Sequence, residues 1–182
     1  ELVTAGWEGG SSKVDALKDI MSTLMAGGNN NVIIFSQFTS FLDIIGRMLT
    51  KEGYNYLYLD GSTPLQERKM LVTKFQSGVC PIFLVSLKAG GLGLNLTAAN
   101  YVIIADPWWN PSIEKQAEDR AHRLGQGRAV TVIRLVSQHT IEEKILRLHE
   151  TKKEISDAIL AGTDRSSKLT MDDVLDMVSP FR

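Results

Sequence analysis

Two arginines carry the most informative chemistry in this chain. Arg120 and Arg123 lie three positions apart in a predicted helix, and Gln116 lies four positions before Arg120 on the same face. A guanidinium stays charged and presents a planar fork of donors, so a fixed pair suits the negative charge that spreads over a phosphoryl group during its transfer. An isolated Arg-x-x-Arg is more often part of a surface ion pair, here Asp119 with Arg123. The surrounding sequence must decide between these interpretations.

Composition excludes several classes of protein. The chain has 182 residues, 43% hydrophobic and 23% charged, which is ordinary for one well-cored globular domain. Its formal net charge of −1 gives no global excess for a polyanion, so a nucleic-acid surface would need locally segregated charge. Cys80 is the only cysteine, which excludes a disulfide framework and a thiolate metal cluster. We predict no metal site and, since no apolar stretch approaches a bilayer span, no membrane partner.

Apolar runs and capping signals predict alternating helices and strands. Residues 32–35 form an unalternating apolar run, as in a strand buried on both faces of a parallel sheet. Capping boxes at Thr63 and Thr140 and an Asn110-Pro111 cap predict three helix starts. The predicted helices are 11–27, 40–53, 63–75, one from 110, one from 140 and 170–177, and the strands are 32–35, 56–59, 81–86, 101–105 and 130–136. This alternation predicts an α/β fold with a right-handed, mainly parallel sheet.

Polar or glycine-rich segments follow four of the predicted strands. They are Ser36-Gln37 and residues 60–63, 86–95 and 106–111. Because the carboxyl ends of parallel strands share one edge, we expect these segments to line a cleft there. Each is weak alone: the glycines at 90, 91 and 93 are not a dinucleotide fingerprint, since Leu96 replaces the third glycine, and could simply permit a tight turn. Of Trp108 and Trp109, we expect one to pack and one to be available to a base or sugar.

A phosphate cradle is missing from the sequence. It contains no Gly-x-x-x-x-Gly-Lys-Ser/Thr loop and no acidic box after a strand to hold magnesium. Arginine fingers without that cradle are half of an active site. The chain also opens at Glu1, without a methionine, which predicts a piece of a longer protein.

Residues 12–160 resemble the second RecA-like lobe of Swi/Snf-type ATPases, a branch of the superfamily 2 helicases. Residues 32–39 resemble motif IV of that family, and residues 86–95 with 106–111 resemble motif V and its extension. Residues 116–126 resemble motif VI, whose Arg-x-x-Arg-x-Gly-Gln ending differs from RNA-unwinding relatives. The resemblance implies a RecA-like three-layer sandwich with a C-terminal helical brace. It divides the chain into a linker remnant (1–10), the lobe (11–139) and brace helices (140–182).

The resemblance also implies site residues. Arg120 and Arg123 would be catalytic fingers that reach ATP, which is held with Mg mainly by a missing first lobe. The residues near the nucleotide would be Gln116, Gly93 and Asn95. The residues that contact DNA would be Gln37, Ser62, Lys88, Gly90, Gly91 and Trp109. Lys88 departs from the arginine often seen there, so its contact with phosphate would lack bidentate geometry.

The implied activity belongs to the intact two-lobe protein. It would be a DNA-dependent ATPase that moves along double-stranded DNA and remodels a DNA-bound protein complex, and this lobe alone would be inactive. Two alternatives stay open: a non-catalytic RecA-like interaction module, and a lobe of an RNA helicase. The Asp-Pro-Trp-Trp-Asn-Pro sequence and the compact C-terminal brace favour a bacterial or archaeal source and a cytoplasmic, nucleoid-associated location. A nuclear location is the alternative.

Overall fold

Helices and strands alternate along the described part of the chain. The structure, a computed structural model, describes residues 11–90, 94–108, 110–121 and 129–160. Its elements are α1 (Ser12–Ala26), β1 (Val32–Ser36), α2 (Thr39–Lys51), β2 (Leu57–Leu59), α3 (Leu65–Gln76), β3 (Ile82–Ser86), α4 (Leu87–Gly90), β4 (Tyr101–Ile104), α5 (Pro111–Ala121), β5 (Thr131–Arg134) and α6 (Ile141–Leu160). The predicted alternation is confirmed within these ranges, and the short helix α4 is an addition. None of the helices described is long and apolar enough to cross a bilayer.

The five strands form one parallel sheet in the order β2-β3-β1-β4-β5. Val32 at the start of β1 pairs with Ile82 of β3 on one side and with Tyr101 of β4 on the other. Every residue of β1 and β3 is buried. The unalternating apolar run therefore marked a central strand, as predicted, because both of its faces are covered by helices.

Two hydrophobic cores lie on opposite faces of the sheet. One joins α1 and α2 to alternate residues of β1 through side chains such as Leu17, Ile45 and Ile34. The other joins α3 and α4 to the intervening residues through side chains such as Phe75 and Phe83, whose ring centroids are 5.4 Å apart. Alternate strand residues point to opposite faces, so both layers follow from a period of two. The predicted three-layer sandwich is confirmed.

The predicted capping box at Thr63 is wrong. Helix α3 begins at Leu65, and Pro64 precedes it in an extended conformation, with no side-chain hydrogen bond at the cap. The hydroxyl of Thr63 instead accepts the Asp60 N–H at 3.1 Å and lies 3.3 Å from the Asp60 carboxylate. The turn that ends β2 takes the hydroxyl that the helix would have used.

The predicted cap at Asn110 is confirmed. The side-chain oxygen of Asn110 accepts the Ser112 N–H at 3.1 Å, and Pro111 is the first residue of α5. Proline suits that position because its missing N–H would have had no partner within the helix. The start of α5 is thus fixed by local sequence.

The predicted start of α6 is confirmed, but the hydrogen bonds that cap it differ from those of the predicted capping box. The Glu142 N–H donates to the Thr140 hydroxyl at 3.2 Å, and the Glu142 carboxylate accepts the Ser137 N–H at 2.8 Å. The acidic partner in this cap is Glu142, one residue earlier than the box predicts. Within α6, Ile141 is 46% exposed, whereas Ile145 is buried. The predicted linker 1–10 and helix 170–177 lie outside the described residues, and the proposed domain bounds stay predictions.

Candidate functional site

The carboxyl ends of the strands bring the predicted polar segments to one edge of the sheet. Ser36 at the end of β1 is level with Ser86 at the end of β3, and Phe35 is level with Ile104 of β4. The segments that follow β1, β2, β3 and β4 therefore leave the sheet on the same side. This is the edge where open parallel sheets bind ligands.

The β2 loop, residues 60–63, is held by its own hydrogen bonds. The Asp60 carboxylate accepts the Ser62 N–H at 2.8 Å and the Ser62 hydroxyl at 2.6 Å. The hydrogen bond from the Ser62 hydroxyl is the main reason that the pKa of Asp60 lies below its ordinary value. Arg68 reaches back from α3 and donates to the carbonyl oxygens of Thr63 at 2.6 Å and Gly61 at 2.9 Å. The predicted DNA-binding Ser62 is exposed and oriented by Asp60.

Helix α4 places Lys88 on the outside of the same edge. The Ala89 N–H donates to the Ser86 hydroxyl at 3.3 Å, and Ala89 is fully buried while Lys88 is exposed. The burial of Ala89 in the second core anchors the turn. The charge of Lys88 is therefore presented to solvent from a fixed backbone, and Gly90 is the last residue of that turn.

Asn95 lies beside the end of α3, away from the carboxyl edge, because α3 begins at that edge and runs back toward the amino ends of the strands. It is exposed, and its carbonyl oxygen accepts the Gln76 side chain at 2.7 Å. Its main chain is thus fixed to the end of α3. The predicted site residues Gly91 and Gly93 lie outside the described residues.

The β4 junction, residues 106–108, is held by the rest of the fold. Asp106 is only 5% exposed, and its carboxylate accepts the Ser36 hydroxyl and, at 2.9 Å, the Gln37 N–H. Burial raises the pKa of Asp106, and the hydrogen bonds from Ser36 and Gln37 oppose that shift. The backbone of the predicted DNA-binding residue Gln37 is therefore fixed to the end of β4.

A partly buried ion pair joins the junction to the first and last described helices. Lys13 of α1 donates to the Ala105 carbonyl oxygen at 2.9 Å and pairs with Glu142 of α6 at 2.6 Å. The two side chains are 12% and 21% exposed. Lys13 therefore connects α1, the end of β4 and α6 at one point.

Trp108 is held at its side chain, its N–H and its carbonyl oxygen. Its indole packs against the second core, its N–H donates to Glu114 at 2.7 Å, and its carbonyl oxygen lies 2.6 Å from His149 Nε2. Glu114 is 2% exposed and also accepts the Arg134 side chain at 3.2 Å. The prediction that one tryptophan packs is confirmed for Trp108, while Trp109 lies outside the described residues.

Only some of the residues predicted to face the nucleotide are described on α5. Gln116 and Asp119 are exposed on it. Arg120 belongs to the helix, but its side chain is not among those described, and Arg123 lies outside the described residues. The shared face of the two arginines, and the ion pair of Asp119 with Arg123, stay predictions.

Sequence reasoning missed the residues that hold this edge together: Lys13, Asp106, Glu114 and His149. Glu114 left a weak signal, an acidic residue in the first turn after an Asn-Pro cap. The others contact residues far away in sequence, which no local pattern reveals. Within the described ranges, no three His, Cys, Asp or Glu side chains are grouped to hold a metal ion. The placement of Mg with a first lobe stays a prediction.

Comparison with known proteins gives a family match over residues 12–125, to the helicase conserved C-terminal domain. The chain is 46% identical over 151 residues to the chromatin-remodeling ATPase INO80 of Cryptococcus neoformans, covering 82% of this chain and 8% of that protein. It is 41% identical over 169 residues to the ATP-dependent helicase FUN30 of Saccharomyces cerevisiae, covering 92% of this chain and 15% of that protein. The chain thus spans only a small part of these relatives.

A solved structure is similar along almost the whole chain. The crystal structure of the C-terminal part of the Fun30 ATPase domain matches with a TM-score of 0.73 and 38% identity, covering 94% of this chain and 50% of that one. The relatives named are fungal proteins, so the expectation of a bacterial or archaeal source is wrong, and the cytoplasmic location inferred from it loses its support. The Asp-Pro-Trp-Trp-Asn-Pro sequence used for that inference reflects the chemistry of the site, and that chemistry does not identify a lineage.

Proposed function

Since the chain belongs to the helicase conserved C-terminal domain family, we propose that it is the second motor lobe of a Swi/Snf-type, ATP-dependent translocase of double-stranded DNA. The observation that carries this proposal is the extent of the family match. Residues 12–125 include helices α1 to α5, strands β1 to β4 and every predicted site residue. A protein that used this fold only as a scaffold would need neither arginine.

On the nucleotide side, this lobe supplies donors to a pocket completed by the first lobe. Gln116 is exposed on α5, and Asn95 is exposed beside the end of α3, so both side chains are open to a ligand. Gly93 would let the backbone approach that ligand closely. ATP, with its Mg held mainly by the first lobe, supplies the phosphoryl group that is transferred to water. Arg120 and Arg123 stabilise the negative charge on that group when the two lobes close.

On the DNA side, the lobe grips the phosphate backbone. Ser62 and Lys88 are exposed at the carboxyl edge on separately anchored segments, and Gln37 has its backbone fixed by Asp106. We assign them phosphate contacts together with Gly90 and Gly91, and we assign Trp109 a contact with the duplex strand. Contacts of this kind carry no sequence information and weaken as salt rises, so binding will be sequence-independent and salt-sensitive.

The relatives suggest where the motor acts. One of them is named a chromatin-remodeling ATPase. We propose that the intact protein works on a DNA-bound protein complex of chromatin, and therefore in the nucleus. ATP hydrolysis would drive the lobes along duplex DNA without separating its strands.

Replacing Arg123 by lysine in the full-length protein tests the proposal. An arginine finger contributes about 10³–10⁵ in rate, and lysine keeps the charge but loses the planar fork, so duplex-stimulated ATPase activity should fall to background. Binding to duplex DNA, measured by fluorescence anisotropy at several salt concentrations, should be unchanged. Near-normal turnover in this variant would refute the finger assignment.

Two comparisons separate the competing functions. Stimulation by duplex DNA but not by RNA is expected, and the reverse would identify an RNA helicase lobe. The 182-residue lobe alone should hydrolyse no ATP, and addition of the purified first lobe should restore some hydrolysis. A lobe that hydrolyses ATP alone would contradict the half-site argument.

A further inference from the structure

Glu114 is a buried carboxylate that the predicted chemistry does not use. It is 2% exposed, lies in the first turn of α5, and divides its two oxygens between different elements. One oxygen accepts the Trp108 N–H at 2.7 Å, and the other accepts Arg134 of β5 at 3.2 Å. Removing a charge from water is costly unless it is paired, so both contacts are needed to keep Glu114 buried.

Stability alone does not explain a charged residue at this position. Well-packed apolar residues often replace a buried ion pair with no loss of stability. A carboxylate does what an apolar side chain cannot, because it fixes two donors in defined directions. Here the two donors are the Trp108 N–H, in the segment that enters α5, and the Arg134 side chain, on the edge strand β5. The contacts of Glu114 therefore set the direction in which α5 leaves the sheet.

The direction of α5 matters because a small tilt at its start produces a larger displacement of the residues farther along the helix. Arg120 lies nine residues after Pro111, at about 1.5 Å of rise per residue, so it is about 13 Å from the start of the helix. A tilt of about 5° at the start would move the backbone of Arg120 by about 1 Å at that distance. A misplacement of about 1 Å can cost about 10²-fold in rate when a group must meet a transition state.

We propose that Glu114 is a positioning residue for the arginine-bearing helix, acting through the Trp108 backbone and Arg134 without touching the nucleotide. His149 holds the other side of the same peptide segment, since its Nε2 lies 2.6 Å from the Trp108 carbonyl oxygen. The start of α5 is therefore held in place by contacts with both β5 and α6. This inference rests on the proposed function, because it gives α5 its importance through the finger arginines.

Two substitutions of Glu114 in the full-length protein test the proposal. Glu114→Ala removes both contacts, whereas Glu114→Gln keeps an oxygen for the Trp108 N–H and loses the charge that pairs with Arg134. We expect the duplex-stimulated kcat to fall about 10- to 100-fold in Glu114→Ala and less in Glu114→Gln. The KM for ATP and the Kd for duplex DNA should stay within about twofold of the parent, because ground-state contacts are untouched. Glu150→Gln, an exposed position on α6, is the matched control and should change nothing.

A transition-state mimic separates positioning from simple loss of folded protein. The Kd of ADP with aluminium fluoride should weaken by the same factor as kcat, while the Kd of ADP alone stays constant. Partial unfolding would instead lower the number of binding sites and leave both Kd values unchanged, and that result would overturn the proposal. So would a normal kcat in Glu114→Ala.

Arg123→Lys, measured in parallel, distinguishes the two levels of inference. If Arg123→Lys loses turnover and affinity for the mimic while Glu114→Ala keeps both, the positioning role is wrong and the proposed function stands. If Arg123→Lys itself keeps both, the finger assignment fails, and the role of Glu114 fails with it.

Discussion

The β2 loop and the β4 junction leave the same edge of one sheet, but they are held in different ways. In the β2 loop, Asp60 bonds to Ser62 and Thr63 within the loop, and Arg68 reaches back from the next helix. In the β4 junction, Asp106 and Trp108 bond to residues of β1, α5 and α6. A loop whose hydrogen bonds are mostly internal can change shape on binding a ligand without moving the rest of the fold. A segment bonded to several distant elements instead couples a shift in one of them to the others.

Two aspartates show this contrast in their ionisation. Hydrogen bonds from Ser62 lower the pKa of Asp60, while burial raises the pKa of Asp106. Both carboxylates accept hydrogen bonds, so acceptor chemistry does not separate them. The difference is access to water: Asp106 is 5% exposed, and Asp60 lies in a largely exposed loop. The same residue type thus serves a self-contained turn in one place and a buried connection in the other.

The largest stability effect should come from breaking the buried connection. Asp106→Ala removes the acceptor of the Gln37 N–H and of the Ser36 hydroxyl, and a buried donor left without a partner costs about 1–3 kcal/mol. Ser36 can still donate to the Phe38 carbonyl oxygen, at 3.2 Å, which limits the loss. We expect the free energy of unfolding in urea to fall by about 2–3 kcal/mol.

The matched change in the β2 loop is Asp60→Ala, which should cost under about 1 kcal/mol because the freed donors of Ser62 can bond to water. Equal losses at the two positions would show that the β2 loop is not self-contained. The contrast between the two segments would then be wrong.

A smaller effect is expected at the ion pair that joins α1 to α6. Lys13→Met keeps the length of the side chain but removes its bonds to Ala105 and Glu142, and hydrogen bonds to charged groups contribute about 1.5–3 kcal/mol. Partial exposure of the pair, at 12% and 21%, lowers the expected loss to about 1–2 kcal/mol. A double-mutant cycle with Glu142→Gln should show coupling, whereas a cycle of Lys13→Met with the β2-loop variant Ser62→Ala should show additivity.

The scaffold could be predicted from sequence because its signals are local. The apolar runs of β1 and β3 and the Asn110 cap each lie within a few residues, and the structure follows them. Helix α4 was missed because its four residues, Leu87–Gly90, are too few for a periodic pattern. The box at Thr63 failed because Asp60, also a local residue, competes for the same hydroxyl.

The connections at the site could not be predicted in the same way. Ser36 and Asp106 are 70 residues apart, and Lys13 and Glu142 are 129 apart. Their meeting depends on the order of strands in the sheet, which the alternation of elements does not specify. Polar residues expected at strand ends, such as Ser62 and Lys88, are exposed at this edge, but their contacts with DNA stay predictions.

The smallest effect, and the most direct measure of the contrast, is the pH dependence of stability. Stability rises with pH wherever the unfolded chain binds more protons than the folded one. The pKa of Asp60 is lowered by folding, so its contribution is present above the ordinary aspartate pKa and is lost as pH falls through the lower folded value. The pKa of Asp106 is raised by folding, so its contribution falls as pH rises from the ordinary value to the higher folded value. The two aspartates therefore contribute slopes of opposite sign.

Urea unfolding of Asp60→Asn and Asp106→Asn across the acidic range measures these slopes. Relative to the parent, Asp60→Asn should reduce the increase in stability with pH, because a positive contribution is removed. Asp106→Asn should make that increase steeper, because a negative contribution is removed, even though its stability is lower at every pH. Lys13 favours the charged form of Asp106, so adding Lys13→Met to the parent should enlarge the difference between the two aspartates. Slopes of the same sign would mean that Asp106 is hydrated like Asp60, and the β4 junction would then be no more buried than the β2 loop.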